Sequence, residues 1–184
     1  MPSSYSTDLK LELMVTGEAS NTWGDKTNSN WNLIQQAVAG YQSIALTSTT
    51  TTLAMTNATV SNARNMVLEF TVTLSANSTI TIPDGIEKFY LLKDSTTHAG
   101  FTLTFKTVSG TGFDLTSGLN YFAYSNGTNV IEVSLDNIGG SVSSTQIEDN
   151  AIISSKISAN QVTTAKIADF AIVTSKISAN QIST

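Results

Sequence analysis

Residues 66 to 74 read MVLEFTVTL. Apolar side chains alternate with hydroxyl or charged ones, the period of two that sends successive side chains to opposite faces of a strand. The same alternation returns downstream in STITIPD (78–84), KFYLLKD (88–94), FTLTFKTVSG (101–110) and NVIEVSL (129–135). Turn signals separate these runs: Pro83-Asp84-Gly85, His98-Ala99-Gly100, Ser109-Gly110-Thr111-Gly112 and Asn126-Gly127. Residues 43–137 are therefore expected to form an antiparallel β-sandwich or small barrel. Upstream of them, TSTTTTLAM (47–55) fits an edge strand or a linker equally well.

Residues 1–42 come first in the chain and carry the helical signal. In TWGDKTNSNWNLIQQAVAGY (22–41), Trp31, Ile34, Ala37 and Val38 recur at helical spacing, Asn28 or Ser29 can cap the start, and Gly40 can end the last turn. Trp23 and Trp31 are the only tryptophans in the chain. Two readings of them stand. The rings fill a small core or pack on the neighbouring domain, or they anchor a docking interface with Ile34 and Val38. A segment of this length buries little surface alone, so it is expected to lean on something else.

Around Gly139 and Gly140, where composition predicts a hinge, residues 138–184 change character. Ile147, Ile152, Ile157, Val162, Ile167, Ile172, Ile177 and Ile182 stand five residues apart without exception, Lys156, Lys166 and Lys176 add a period of ten, and SKISANQ occurs twice, at 155–161 and 175–181. A continuous strand would throw alternate members of this row to opposite faces. A continuous α-helix would rotate each by roughly 140° from the last. What remains is a solenoid turning a corner every five residues, or several chains wound about one axis with the row pointing inward. Burying eight such side chains yields on the order of 12–24 kcal/mol, whereas ordering some 40 residues costs on the order of 40–80 kcal/mol. The stalk shared between chains is the expected form, because oligomerisation supplies burial that one chain lacks.

Composition narrows the function. Charged residues make up 12% of the 184-residue chain and the net charge is -5, so the basic excess of a nucleic-acid surface is missing. With no cysteine there are no disulfides and no thiolate metal sites. No apolar run approaches the roughly 20 residues of a membrane span, and MPSSYSTDLKLELMV lacks the order of a secretory signal. Neither nucleic acid nor membrane insertion is expected.

The Lys-Ile decads of NAIISSKISANQVTTAKIADFAIVTSKI (150–177) resemble the repeated stalk segments of tail-fibre and related structural proteins of tailed bacteriophages, particularly marine phages of cyanobacteria. TGEASNTWGDKTNSNWNLIQQAVAGY (16–41) and the segment containing SGTGFDL (109–115) and YSNGTNV (124–130) look like opening modules of the same proteins. The resemblance implies a mostly β chain in three parts: an N-terminal virion-docking segment with a short helix (1–42), the β-domain (43–137) and a fibrous trimeric β-stalk (138–184). The implied function is that of a non-enzymatic tail fibre or fibre adaptor, assembled in the bacterial cytoplasm and located in the virion tail. Its partners would be its own copies in a homotrimer, other tail proteins (tube, adaptor or nozzle), and beyond them a further fibre chain or a host surface glycan. Because the repeat is still running at SANQIST (178–184), the receptor-binding tip is expected in another chain or in further sequence. Two alternatives accompany this reading: a carbohydrate-binding or carbohydrate-degrading tailspike-type module, and a capsid head fibre or decoration protein.

Catalytic constellations are sparse. His98 is the sole histidine and is expected to be a solvated loop residue without a partner. Asp84, Glu87 and Asp94 are near in sequence and could in principle flank a glycosidic bond, although turns and solubility account for them more simply. Asp25 has no Ca²⁺-loop pattern around it. The Asn57, Asn77 and Asn126 sequons read as turn chemistry. Tyr121, Phe122 and Tyr124 are candidates for an exposed aromatic sugar platform, with one ring face of YFAY buried by alternation. No catalytic, cofactor or metal residue is assigned.

Overall fold

The β-branched alternation places strands where it is found, and the junctions between them decide how they pair. The computed structural model describes residues 3–134, 147, 151–169 and 171–172. In chain order its elements are β1 (Ser4–Tyr5), β2 (Glu12–Leu13), α1 (Trp23–Ala39), β3 (Tyr41–Ala45), β4 (Thr50–Thr52), a 3-10 turn (Asn62–Arg64), β5 (Val67–Thr73), β6 (Ser78–Ile82), β7 (Glu87–Thr97), β8 (Leu103–Thr107), β9 (Gly112–Leu115), β10 (Asn120–Asn126) and β11 (Val130–Glu132). The Thr-rich stretch thus contributes an edge strand, β4. The chain is mostly β with one α-helix among the described residues, and it divides into two units, 1–139 and 140–184.

Within the first unit β1 and β2 form a small antiparallel pair, and two larger sheets follow the orders β11-β10-β7-β5-β3 and β4-β6-β8-β9. The chain alternates between these two sheets. β3, β5 and β7 lie side by side in one and β4, β6 and β8 in the other, and all four pairings among them are parallel. Only after β8 does the chain turn back, pairing β9 with β8, β10 with β7 and β11 with β10 in antiparallel register. Of the expected antiparallel sandwich or small barrel, two sheets around one core are present, but most of their early pairings are parallel. The strands coil through three parallel rungs, and no barrel closes among the described residues. The reason lies at the corners: Pro83-Asp84-Gly85 and His98-Ala99-Gly100 carry the chain from one sheet to the other rather than back along it. The same turn residues serve either purpose.

The inward side chains of both sheets meet in one core. Leu68, Phe70, Ile80, Ile82, Tyr90, Leu92, Leu103 and Phe105 are fully buried. Phe70 and Tyr90 from one sheet each place their ring centroid 5.9 Å from that of Phe105 in the other. Each such side chain contributes about 1.5–3 kcal/mol relative to exposure. At one end of this core Gly110 packs so closely that a Cβ there would fall 1.8 Å from the Thr128 carbonyl oxygen.

In the second unit the described residues form turns and no strand. Residues 151–160 and 161–169 have matching local conformations, with 3-10 turns at Ser154–Lys156 and Thr164–Lys166. The backbone closes on itself once per pentad: Lys156 N donates to Ile153 O (2.9 Å), Gln161 N to Ser158 O (3.2 Å), Lys166 N to Thr163 O (2.9 Å) and Ala171 N to Ala168 O (3.0 Å). Each acceptor is the residue following a member of the apolar row. A side chain of that row therefore occupies one fixed place in each turn, which is the structural meaning of the five-residue period.

Candidate docking interface

Helix α1 has two apolar sides. At 100° per residue, Leu33, Ala37 and Asn30 fall within about 60° of one another, and Trp23, Ile34, Val38 and Trp31 occupy about 80° immediately beside them. Leu33 and Ala37 are buried at 2% and 7% exposure, whereas Trp23, Trp31 and Val38 remain 65%, 64% and 70% exposed, with Ile34 half-buried. The tryptophan rings do not fill a core, so the first of the two readings of them fails. Ala37, expected in the same stripe as Trp31, belongs to the buried side with Leu33. The exposed stripe adjoins an open cleft lined by Met14, Val15, Ala19 and Trp23. Leu13, Met14 and Val15 are themselves 49%, 36% and 37% exposed, which widens the apolar surface.

The helix begins at Trp23 after Thr22, five residues before the earlier of the two expected caps, and Thr22 makes no side-chain capping bond. Tertiary contacts tie the helix to β2. Asn30 clasps the β2 backbone, its Oδ1 accepting from Glu12 N (3.0 Å) and its Nδ2 donating to Glu12 O (2.8 Å). Lys26 pairs with the Glu12 carboxylate. Together with the Ser3 hydroxyl, that lysine holds the Glu12 carboxyl below its usual range, and Glu12 in turn raises Lys26. At the other end Gly40 stops the helix in extended conformation, where a Cβ would lie 2.3 Å from Gln36 O and 2.4 Å from Asn65 Oδ1. Asp25 and Lys26 are the only charged residues of α1, so the exposed stripe itself is neutral.

Arg64 anchors this module to the β-domain. Fully buried, its guanidinium donates to Leu9 O (3.0 Å), Thr56 O (2.6 Å), Thr59 O, Ser61 Oγ (3.2 Å) and Gln36 Oε1 (3.4 Å). One side chain thus ties the N-terminal loop, α1 and the 56–61 loop together. Five donors in a rigid fork suit such a junction. Sequence reasoning passed over Arg64, although a signal was there: it is the sole arginine of the chain, set among uncharged residues in TNATVSNARNM (56–66).

The chemical candidates fall elsewhere. His98 is not a free loop residue: its Nε2 lies 2.7 Å from Asp94 Oδ2, and its side chain is 19% exposed. Asp94 is buried, its Oδ1 accepting from Thr96 N (2.9 Å) and Thr96 Oγ1 (2.6 Å), so it does not serve solubility. Among the described residues no hydroxyl bonds to His98. Asp84 accepts from Ser109 N at 3.0 Å, a bond that lowers its pKa. Glu87 and Asp94 stand seven residues apart on β7, roughly 23 Å along the strand, well beyond the roughly 5–9.5 Å of paired glycosidic carboxylates. Among the described residues no cluster of three or more His, Asp or Glu gathers, and no helix is long and apolar enough to cross a membrane. Of the aromatic candidates, Phe122 is 41% exposed and Tyr124 partly so on the outer sheet face, while Tyr121 turns inward against Phe113, ring centroids 5.5 Å apart.

In the C-terminal unit Ile147, Ile152, Ile157, Val162, Ile167 and Ile172 are all 40–59% exposed. Ile177 and Ile182 lie outside the described residues. Compared with known proteins, this chain matches no family model, no curated protein and no solved structure.

Proposed function

We propose that this chain is a structural, non-enzymatic component of a bacteriophage particle, a homotrimeric tail fibre or fibre adaptor that docks through α1 and extends through its C-terminal repeat. The observation that carries this reading is the apolar row. One isoleucine or valine stands at the same place in every pentad turn, and each described member is at least 40% exposed in the single chain. A regular apolar row that one chain leaves in water is what a shared stalk requires. The exposed stripe of α1 supports the docking half of the proposal, since large aromatics with aliphatic neighbours are the usual anchors of interfaces.

Light scattering of the purified full chain tests assembly and is expected to report three copies; a monomer would sink the stalk. Docking is tested by Trp31→Ser with Val38→Ser, which leave Leu33, Ala37 and the Arg64 junction untouched. The doubly substituted chain is expected to fold and form trimers yet be lost from particles. Normal incorporation would remove α1 as the attachment site.

A further inference from the structure

The outer face of the five-stranded sheet carries an apolar band that crosses all five strands. Register places Tyr41 beside Val67, Val67 beside Leu91, Leu91 beside Phe122, Phe89 beside Tyr124 and Tyr124 beside Ile131. Tyr41, Phe89, Leu91, Phe122 and Ile131 are 56%, 46%, 39%, 41% and 44% exposed. Parallel strands are ordinarily covered on both faces, and an apolar band of this extent on a soluble unit marks a contact surface. We propose that this face packs against other copies of the chain, so that the folded N-terminal units, and not only the repeats, are in contact within the assembly. The proposal rests on the trimer reading of the repeat.

Three observations favour a second copy over a glycan. First, the rings occupy one another: Phe89 stacks on Phe122 with centroids 5.1 Å apart and planes 6° from parallel, and Tyr124 leans on Phe89 at 4.9 Å. Such packing leaves ring edges outward instead of the open ring faces on which a sugar would lie. Second, the charges at the centre of the band are paired. Lys93 Nζ lies 2.8 Å from Glu69 Oε1, and Ser95 and Tyr41 hydroxyls donate to the same carboxylate, which these partners hold down to about pKa 2. A copy docking here would meet no unpaired charge at the centre of the band. Third, the chain leaves this sheet at β11, and only the 14 residues 133–146 separate Glu132 from Ile147. Fourteen residues reach at most about 50 Å. Copies joined through their repeats would hold their sheet domains at millimolar effective concentration, where even a modest apolar contact is occupied.

Because the chain has no cysteine, single thiols report on this face. Phe122→Cys and Leu91→Cys would be introduced separately into the full chain, with Thr102→Cys, exposed ahead of the opposite sheet, as the comparison. In the trimer, both face thiols are expected to react with a bulky maleimide slower than Thr102→Cys by roughly tenfold or more, since modification must await opening. Oxidation should also cross-link pairs of chains through at least one face position. A trimer whose face thiols label as fast as Thr102→Cys would overturn this inference and leave the trimer standing. Protection that comes only on adding a lipopolysaccharide preparation would also overturn it and assign the face to a glycan. A monomeric wild-type chain would overturn the trimer reading itself, and this proposal with it.

Discussion

At the scale of single residues, two buried cations set the properties of the N-terminal unit. Arg64 satisfies backbone carbonyls from two loops as well as Gln36 of α1, so truncating it leaves buried acceptors without donors. Arg64→Ala is expected to cost about 3 kcal/mol or more. Arg64→Lys is expected to rescue little, because a single ammonium cannot span five acceptors. Midpoints of urea unfolding would check both. Lys88 lies next to this junction, donating to Arg64 O and Asn65 O at 3.0 Å each and sitting 4.0 Å from the Tyr90 ring centroid. Burial, with the Arg64 charge adding to it, pushes its pKa down to about 7. Between that value and the ordinary lysine value near 10.5, the unfolded chain binds the proton and the folded chain does not. Stability should therefore rise with pH across this window, by a few kcal/mol. Below pH 7 both states are protonated and the curve flattens. Lys88→Met is expected to abolish the rise whatever its effect on absolute stability, and thermal melts from pH 7 to 10 would show whether it does.

At the scale of elements, the repeat makes the sharpest prediction. Its turns close by one backbone hydrogen bond per five residues, and Ile167 precedes the acceptor Ala168. A residue inserted after Ile167 would shift every later apolar side chain out of its place in the turn, as a register slip does in a sheet. Ile167→Asp would bring three carboxylates into one apolar layer of the proposed stalk, where unpaired like charges are strongly disfavoured. Lys166→Ala removes only an exposed bond from Nζ to Gln161 O at 3.0 Å. Protease resistance of residues 138–184 is expected to fall most for the insertion, next for Ile167→Asp and hardly at all for Lys166→Ala. An insertion as harmless as the lysine change would strip the period of meaning. α1 shows how far local pattern can be read. Its existence and its stop at Gly40 were legible from periodicity and glycine, but its start was not. Asn28 and Ser29 look like caps by residue type, while the helix runs on from Trp23 and is tied to β2 by Lys26 and Asn30, contacts that no local window contains.

At the scale of the whole molecule, alternation located β5 to β8 and β11 but not β3, β9 or β10, glycine-containing turns located the ends of several strands, and the five-residue spacing marked the repeat as something other than strand or α-helix. These follow from the sequence because each is a local property: side-chain period, backbone conformational freedom and spacing are written along the chain. The candidate docking residues were legible in part: Trp31, Ile34 and Val38 share a helical face by spacing, but Ala37, expected with them, is buried. Only the tertiary structure decided what that face meets. It assigned Leu33 and Ala37 to the interior and left the tryptophans in water, because Glu12, Ser61 and Arg64, all outside the helix, hold its Asn30 and Gln36. It likewise chose parallel rungs over antiparallel hairpins: a Pro-Asp-Gly or His-Ala-Gly corner permits either path, and the choice fell to the pairing of β3, β5 and β7 and of β4, β6 and β8 across long separations. Lys88 and Asp94 were hidden for the same reason. On β7 they occupy inward positions of the alternation, and a charged side chain can stand there only where distant carbonyls, hydroxyls or a histidine come to meet it.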